Sequence, residues 1–130
     1  MSAVATPPPA PPKTFGKDFL WVTQIAKTTL GDALAHLGRF EEATARYRDA
    51  LRLHPACGDA WRGLSNIKTV ALSDVDATLL SAQLQRGDIA DGDRVAMGHA
   101  LGKLEEDRGD PPRAFAAFAG ANALQQRLTP

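Results

Sequence analysis

The sequence predicts an all-α protein made of stacked helical hairpins, and three observations carry that prediction. Alanine is the commonest residue while β-branched residues are few and scattered, a composition that favours helix over strand. Apolar residues recur at three- and four-residue steps in successive blocks, most of them closed by Gly or Pro. Finally, a set of small and aromatic residues occurs twice. Leu30, Gly31, Gly38, Ala43, Tyr47, Ala50 and Leu53 each stand 71 positions before Leu101, Gly102, Gly109, Ala114, Phe118, Ala121 and Leu124, with one aromatic exchange as the only difference. Two glycines and an aromatic in one register are hard to obtain by chance, and self-similarity at a fixed spacing is the signature of a repeat array. An offset of 71 also leaves room for a middle copy: a shift of 34 places Leu64 under Leu30 and Ser65 under Gly31. Past Ile67 that copy drifts out of register.

The elements follow in order. Phe19, Val22, Ala26, Leu30, Ala33 and Leu37 form one apolar stripe and define a first helix that ends at Gly38. Phe40, Ala43, Tyr47, Ala50 and Leu51 define a second, stopped by Pro55. Trp61, Leu64, Ile67 and Lys68 mark a third. Ser73 with Asp76 reads as a capping box for a fourth, ending near Gly87. Asp91 or Asp93 opens a fifth that carries Val95, Leu101 and Leu104 to Gly109. The sixth has Asp110 as N-cap and Pro111 at its first position, where a missing N–H is harmless; Ala114, Phe115, Phe118, Ala121 and Leu124 lie on it. The predicted domain covers 15–127, in units of about 15–56, 57–90 and 91–127, with the middle unit lengthened by three residues. Residues 1–14 hold five of the nine prolines and are expected to form a disordered tail.

Composition narrows the function. At 130 residues and 13.8 kDa the chain fits one domain. Fifteen basic against fifteen acidic residues give no net charge, so neither nucleic acid nor an anionic membrane is an expected partner. The single cysteine, Cys57, excludes an internal disulfide framework and any site needing several thiolates. No apolar run approaches the ~18 residues of a membrane span, and no basic-then-apolar leader opens the chain. The expected location is therefore the cytoplasm, with no cofactor.

The run LGDALAHLGRFEEATARYRDALRLHP, with Leu30, Gly31, Gly38, Phe40, Ala43, Tyr47, Ala50 and Pro55, resembles a tetratricopeptide repeat, and Trp61 and Leu64 continue the motif into the middle unit. Lys27 and Leu34 depart from it, standing where an aromatic is usual. The resemblance implies a right-handed α-solenoid of about three helix–turn–helix hairpins that holds a protein or peptide in a groove lined by the first helix of each hairpin. Residues from about 60 to 126 also resemble the N-terminal repeat region of bacterial tetratricopeptide-containing sulfotransferases. Their catalytic domain binds 3′-phosphoadenosine 5′-phosphosulfate through an Arg-Ser-Gly-Ser-Thr type loop. This chain has no such loop, so the resemblance implies a recognition module without the chemistry, and the chain itself is not expected to be an enzyme.

Aligning the three units directs Asp32 and His36, then Arg62, Asn66 and Thr69, then His99, Lys103 and Asp107 toward that groove. Arg62 and Asn66, one turn apart, can reach one extended ligand. They resemble half of a carboxylate clamp, whose other half is missing because Ala96 and Ala100 stand where basic residues are expected. Phe15 and Trp21 lie ahead of the repeat register and are candidates for an apolar end contact, either with a partner or with a second copy. Tyr47, Trp61, Phe115 and Phe118 are assigned to the core. Glu41–Glu42 and Glu105–Glu106–Asp107 read as solvated charge. His54 and Cys57 read as loop residues, being too few ligands for a metal.

Overall fold

The computed structural model describes the backbone of residues 15–67 and 72–129, with side chains from Ile25 onward. Six helices follow in chain order: α1 (Phe15–His36), α2 (Phe40–Leu53), α3 (Gly58–Asn66), α4 (Asp74–Leu84), α5 (Asp91–Asp107) and α6 (Pro111–Leu128). Among the described residues there is no strand, and no helix is long and apolar enough to cross a membrane. The fold is an all-α helical repeat, as the periodicity predicts.

The first and last hairpins are built alike, down to the hydrogen bonds of their turns. Gly38 and Gly109 take φ of +78° and +77°, a left-handed conformation that a side chain would strain. Beside them the N–H groups of Arg39 and Asp110 donate to the carbonyls of Leu34 and Glu105, each at 2.9 Å, closing both helices in the same way. Two turns earlier in the register, Gly31 and Gly102 lie under aromatic rings. A Cβ added to Gly31 would stand 2.7 Å from Cε1 of Tyr47, and one added to Gly102 would stand 2.5 Å from Cε1 of Phe118. Each hairpin closes because those positions carry no side chain.

Between the hairpins lies α3, packed against α2 and α5. Its Gly63 meets the same Tyr47 ring, where an added Cβ would fall 2.2 Å from Cζ. Trp61 is buried beside it, and its indole N–H donates to the Pro55 carbonyl at 2.9 Å, which satisfies the one polar atom of the ring. The N-terminus of α3 is capped from outside: Gly58 N–H donates to Asp93 Oδ1 of α5 at 3.0 Å, while Cys57 at the N-cap position makes no side-chain cap. α3 ends at Asn66, where the β-branched Ile67 begins a stretch of low helix propensity.

The middle unit departs from a close hairpin. Among the described residues the backbone of α4 approaches α5 rather than α3. α4 is tied to α2 instead, through Asp76. The capping box with Ser73 forms as predicted, and the same carboxylate takes both arms of the Arg48 guanidinium, at 2.6 and 3.0 Å. Leu80 of α4 is fully buried in the common core with Tyr47, Trp61, Leu64, Met97 and Leu104.

Three side-chain expectations are corrected. The described part of the α1 stripe does not face the core: Leu30 is 48% and Leu37 70% exposed, while Thr28, Gly31 and Leu34 are buried. The small face of Gly31 is the one that admits the Tyr47 ring. Phe115 is 73% exposed and not part of the core, because α6 buries Ala114 and Ala121 against α5. Glu105 is buried rather than solvated, and two guanidiniums compensate its charge, Arg113 at 3.6 Å and Arg108 at 3.7 Å.

Burial alone would raise the Asp76 pKa, but hydrogen bonds from Arg48 and from the Ser73 N–H outweigh it and hold the carboxyl below its ordinary value. A depressed carboxylate contributes stability above its unfolded pKa of about 3.9, and loses it as pH falls through the lower folded value. Asp76→Asn should therefore cost about 2 kcal/mol near neutrality, less than a fully buried pair because Arg48 keeps part of its surface in water. The difference in Tm between the native protein and this variant should close as pH falls below about 4.

Candidate functional site

The first helices α1, α3 and α5 line two cavities that share Arg62 and Asn66. One, of about 430 Å³, lies between α1 and α3, with Asp32, His36, Phe40 and Asp59 on its walls and the edge of Tyr47 on its floor. The other, of about 330 Å³, lies between α3 and α5, with His99 and Lys103 on its walls and Val95, Ala96 and Phe118 beneath. The repeat explains this placement. Positions one turn apart on each first helix point the same way, and the glycine-seated rings hold neighbouring helices close enough for those rows to form one surface.

The two ends of this surface differ in charge. In the first cavity Asp32 accepts the Tyr47 hydroxyl at 2.5 Å, and Asp59 accepts from Arg62 Nη1 at 3.0 Å. The second cavity is lined by Arg62, His99 and Lys103 with no carboxylate. Lys103 Nζ donates to Asn66 Oδ1 at 3.2 Å across α3 and α5, which turns the amide NH₂ of Asn66 into the group left to donate outward. His99 stands edge-on to Phe118, with ring centroids 6.1 Å apart. Such a surface can hydrogen-bond an extended backbone and take an acidic group at one end. Arg62 and Asp59 are each more than half exposed, so their mutual pair is weak and exchanges readily for a ligand.

The structure brings most of the expected residues together. Asp32, His36, Arg62 and Asn66 line the first cavity, and Arg62 and Asn66 join His99 and Lys103 in the second. Asp107 is exposed and lines neither cavity. Thr69 lies outside the described residues, as do the side chains of Phe15 and Trp21. Sequence reasoning missed Phe40 and Asp59. Asp59 was within reach, since it precedes Arg62 by three residues, the spacing of a helical ion pair. It also treated Tyr47 and Phe118 as core alone, whereas each presents an edge to a cavity. Among the described residues no group of three or more His, Cys, Asp or Glu side chains could hold a metal. Burial pushes the Cys57 thiol up, away from the thiolate that nucleophilic chemistry needs.

Compared with known families, residues 26–67 match the tetratricopeptide repeat. That segment runs from the middle of α1 through α2 to the end of α3, so it includes both glycines that seat Tyr47. No curated protein and no solved structure matches the chain. The likeness of residues 60–126 to sulfotransferase repeat regions receives no support from these comparisons.

Burial, reinforced by the hydrogen bond to Asp32 and its negative charge, raises the Tyr47 pKa far above that of a free phenol. The chain has one tyrosine, so phenolate absorbance reads this residue alone. In the folded protein the phenol should resist ionisation through about pH 11, and it should ionise near pH 10 once the chain is unfolded. Because the folded pKa is raised, the associated stability is complete below about pH 10 and declines above it.

Proposed function

We propose that this chain is a non-catalytic interaction scaffold whose first-helix surface holds an extended peptide or protein segment, in the cytoplasm and without a cofactor. The observation that carries the reading is the continuity of the two cavities through Arg62 and Asn66. A peptide crossing α3 places an acidic group between Arg62 and Lys103 and accepts a backbone hydrogen bond from the Asn66 amide. The tetratricopeptide match adds support, since repeats of that kind generally bind proteins or peptides. Zero net charge goes with selective rather than strongly steered association.

A second reading makes the chain the accessory region of a sulfotransferase. It is favoured by Phe115 and Leu128 of α6, 73% and 44% exposed, which an adjoining domain would cover. A reading frame that continues past Pro130 into a strand and an Arg-Ser-Gly-rich loop is its expected outcome, and a stop codon there contradicts it.

The test of the scaffold reading is a pull-down with the folded protein, followed by titration of the captured partner. Each exposed cation contributes no more than about 1 kcal/mol. Reversing both, as Arg62→Glu with Lys103→Glu, should weaken binding tenfold or more with the helical content unchanged. Binding of the native protein should also fall as salt rises. Undiminished affinity in the double variant places the site elsewhere.

A further inference from the structure

The cavity between α1 and α3 carries a negative charge that the folded chain does not balance. Asp32 is exposed on the α1 wall, and among the described residues it enters no ion pair, with His36 one turn on or with any other cation. Its Oδ1 accepts the Tyr47 hydroxyl, a neutral donor that leaves the charge in place. On the α3 wall Asp59 is matched by Arg62, so the cavity holds two carboxylates against one guanidinium. Phe40, 41% exposed, and the edge of Tyr47 supply aromatic surface beside the unmatched acid. A carboxylate next to aromatic rings suits a long basic side chain, whose head meets the acid while its stem lies on the rings.

We infer that the groove selects a segment carrying two opposite charges, a basic side chain seated on Asp32 and an acidic one between Arg62 and Lys103. The inference rests on the scaffold reading and adds the α1 half of the site, with Asp32 as the residue that sets specificity. The α3–α5 cavity mirrors the first in sign: among the described residues Lys103 enters no ion pair, and no carboxylate lines that cavity. An all-acidic segment would meet Asp32, and an all-basic one would meet Arg62 and Lys103, so the groove discriminates against both. The two halves are also coupled through one ion pair. An acidic group that draws Arg62 away from Asp59 leaves that carboxylate unmatched in the first cavity, and a cation there restores the balance. Neighbouring helices pack roughly 8–10 Å apart and an extended chain advances ~3.3 Å per residue, so charges about two to four residues apart reach both cavities.

Selection from a phage-displayed library of random peptides, each of about twelve residues and roughly 40 Å when extended, tests the inference on the full native chain. Enriched sequences are expected to carry Lys or Arg about two to four positions from Asp or Glu. In a synthetic copy of one such peptide, changing the basic residue to Ala should weaken binding roughly three- to fivefold, the range of an exposed pair. On Asp32→Asn the same change should have no effect, while loss of the acidic residue still weakens binding. Asn keeps an oxygen for the Tyr47 hydroxyl, so this variant should retain the native helical content. The composition of the enriched peptides needs no variant and decides on its own. Enrichment of peptides without the paired charges overturns the inference and leaves the scaffold reading intact, as does an equal loss on the native and Asp32→Asn proteins. Enrichment no greater than on Arg62→Glu with Lys103→Glu removes the scaffold reading and this inference with it.

Discussion

The seating of one aromatic ring on two glycines sets the geometry of the molecule. Tyr47 of α2 lies where a side chain on Gly31 of α1 or on Gly63 of α3 would have to be. It therefore fixes the closure of the first hairpin and the position of the helix that follows it. Its hydroxyl ends on Asp32, so the most buried aromatic of α2 also reaches the surface that α1 and α3 share. Phe118 on Gly102 repeats the closure in the last hairpin, without a second glycine and without a polar tip. There the exposed edge of the ring meets His99 and floors a cavity instead of joining the core. One packing rule used twice yields both the scaffold and the two halves of its groove.

Around that rule, polar contacts position what the apolar core leaves loose. α4 has little backbone contact with the rest of its unit, and Asp76 ties it to α2 through Arg48 while capping its own first turn. Asp93 performs a similar service for α3 from a distance of 35 residues. Both are short, partly buried contacts, with both oxygens engaged in Asp76 and Oδ1 in Asp93, so they specify orientation at modest energetic gain. The groove differs in kind. Its pairs, Arg62 with Asp59 and Lys103 with Asn66, are exposed and can be traded for a ligand. Rigid buried carboxylates and exchangeable surface cations divide structure from recognition within the same small charge inventory.

What was legible in the sequence was local or repeated. The 71-residue register located both turns, both glycine seats and the burial of Tyr47, and the Ser73–Asp76 spacing located the start of α4. The tilt of α1 about its axis was not legible, because Leu30 and Leu37 are more hydrophobic than the Thr28–Gly31–Leu34 face that is actually buried. Periodicity weighs hydrophobicity, whereas the helix turned its smallest face inward to accept a ring. Phe115 misled for the same reason, being large, apolar and correctly spaced, but on the far side of Ala114. The buried Glu105 and the distant cap by Asp93 depend on partners from other elements, which no single-helix pattern contains. In the groove, the row on each first helix was readable; Phe40, which enters from the start of α2, was not.

The most direct measurement is a double-mutant cycle between Gly63 and Tyr47, read by denaturant unfolding. In the native background Gly63→Ala should destabilise by about 2 kcal/mol or more, because the new methyl overpacks the ring. In a Tyr47→Leu background the flexible side chain yields, and the same substitution should be neutral or stabilise by up to ~1 kcal/mol, the gain in helix propensity of Ala over Gly. That dependence on the neighbour is the signature of a ring seated on glycine. Gly63→Ala that is harmless in the native background, or equally costly in both, would contradict the account.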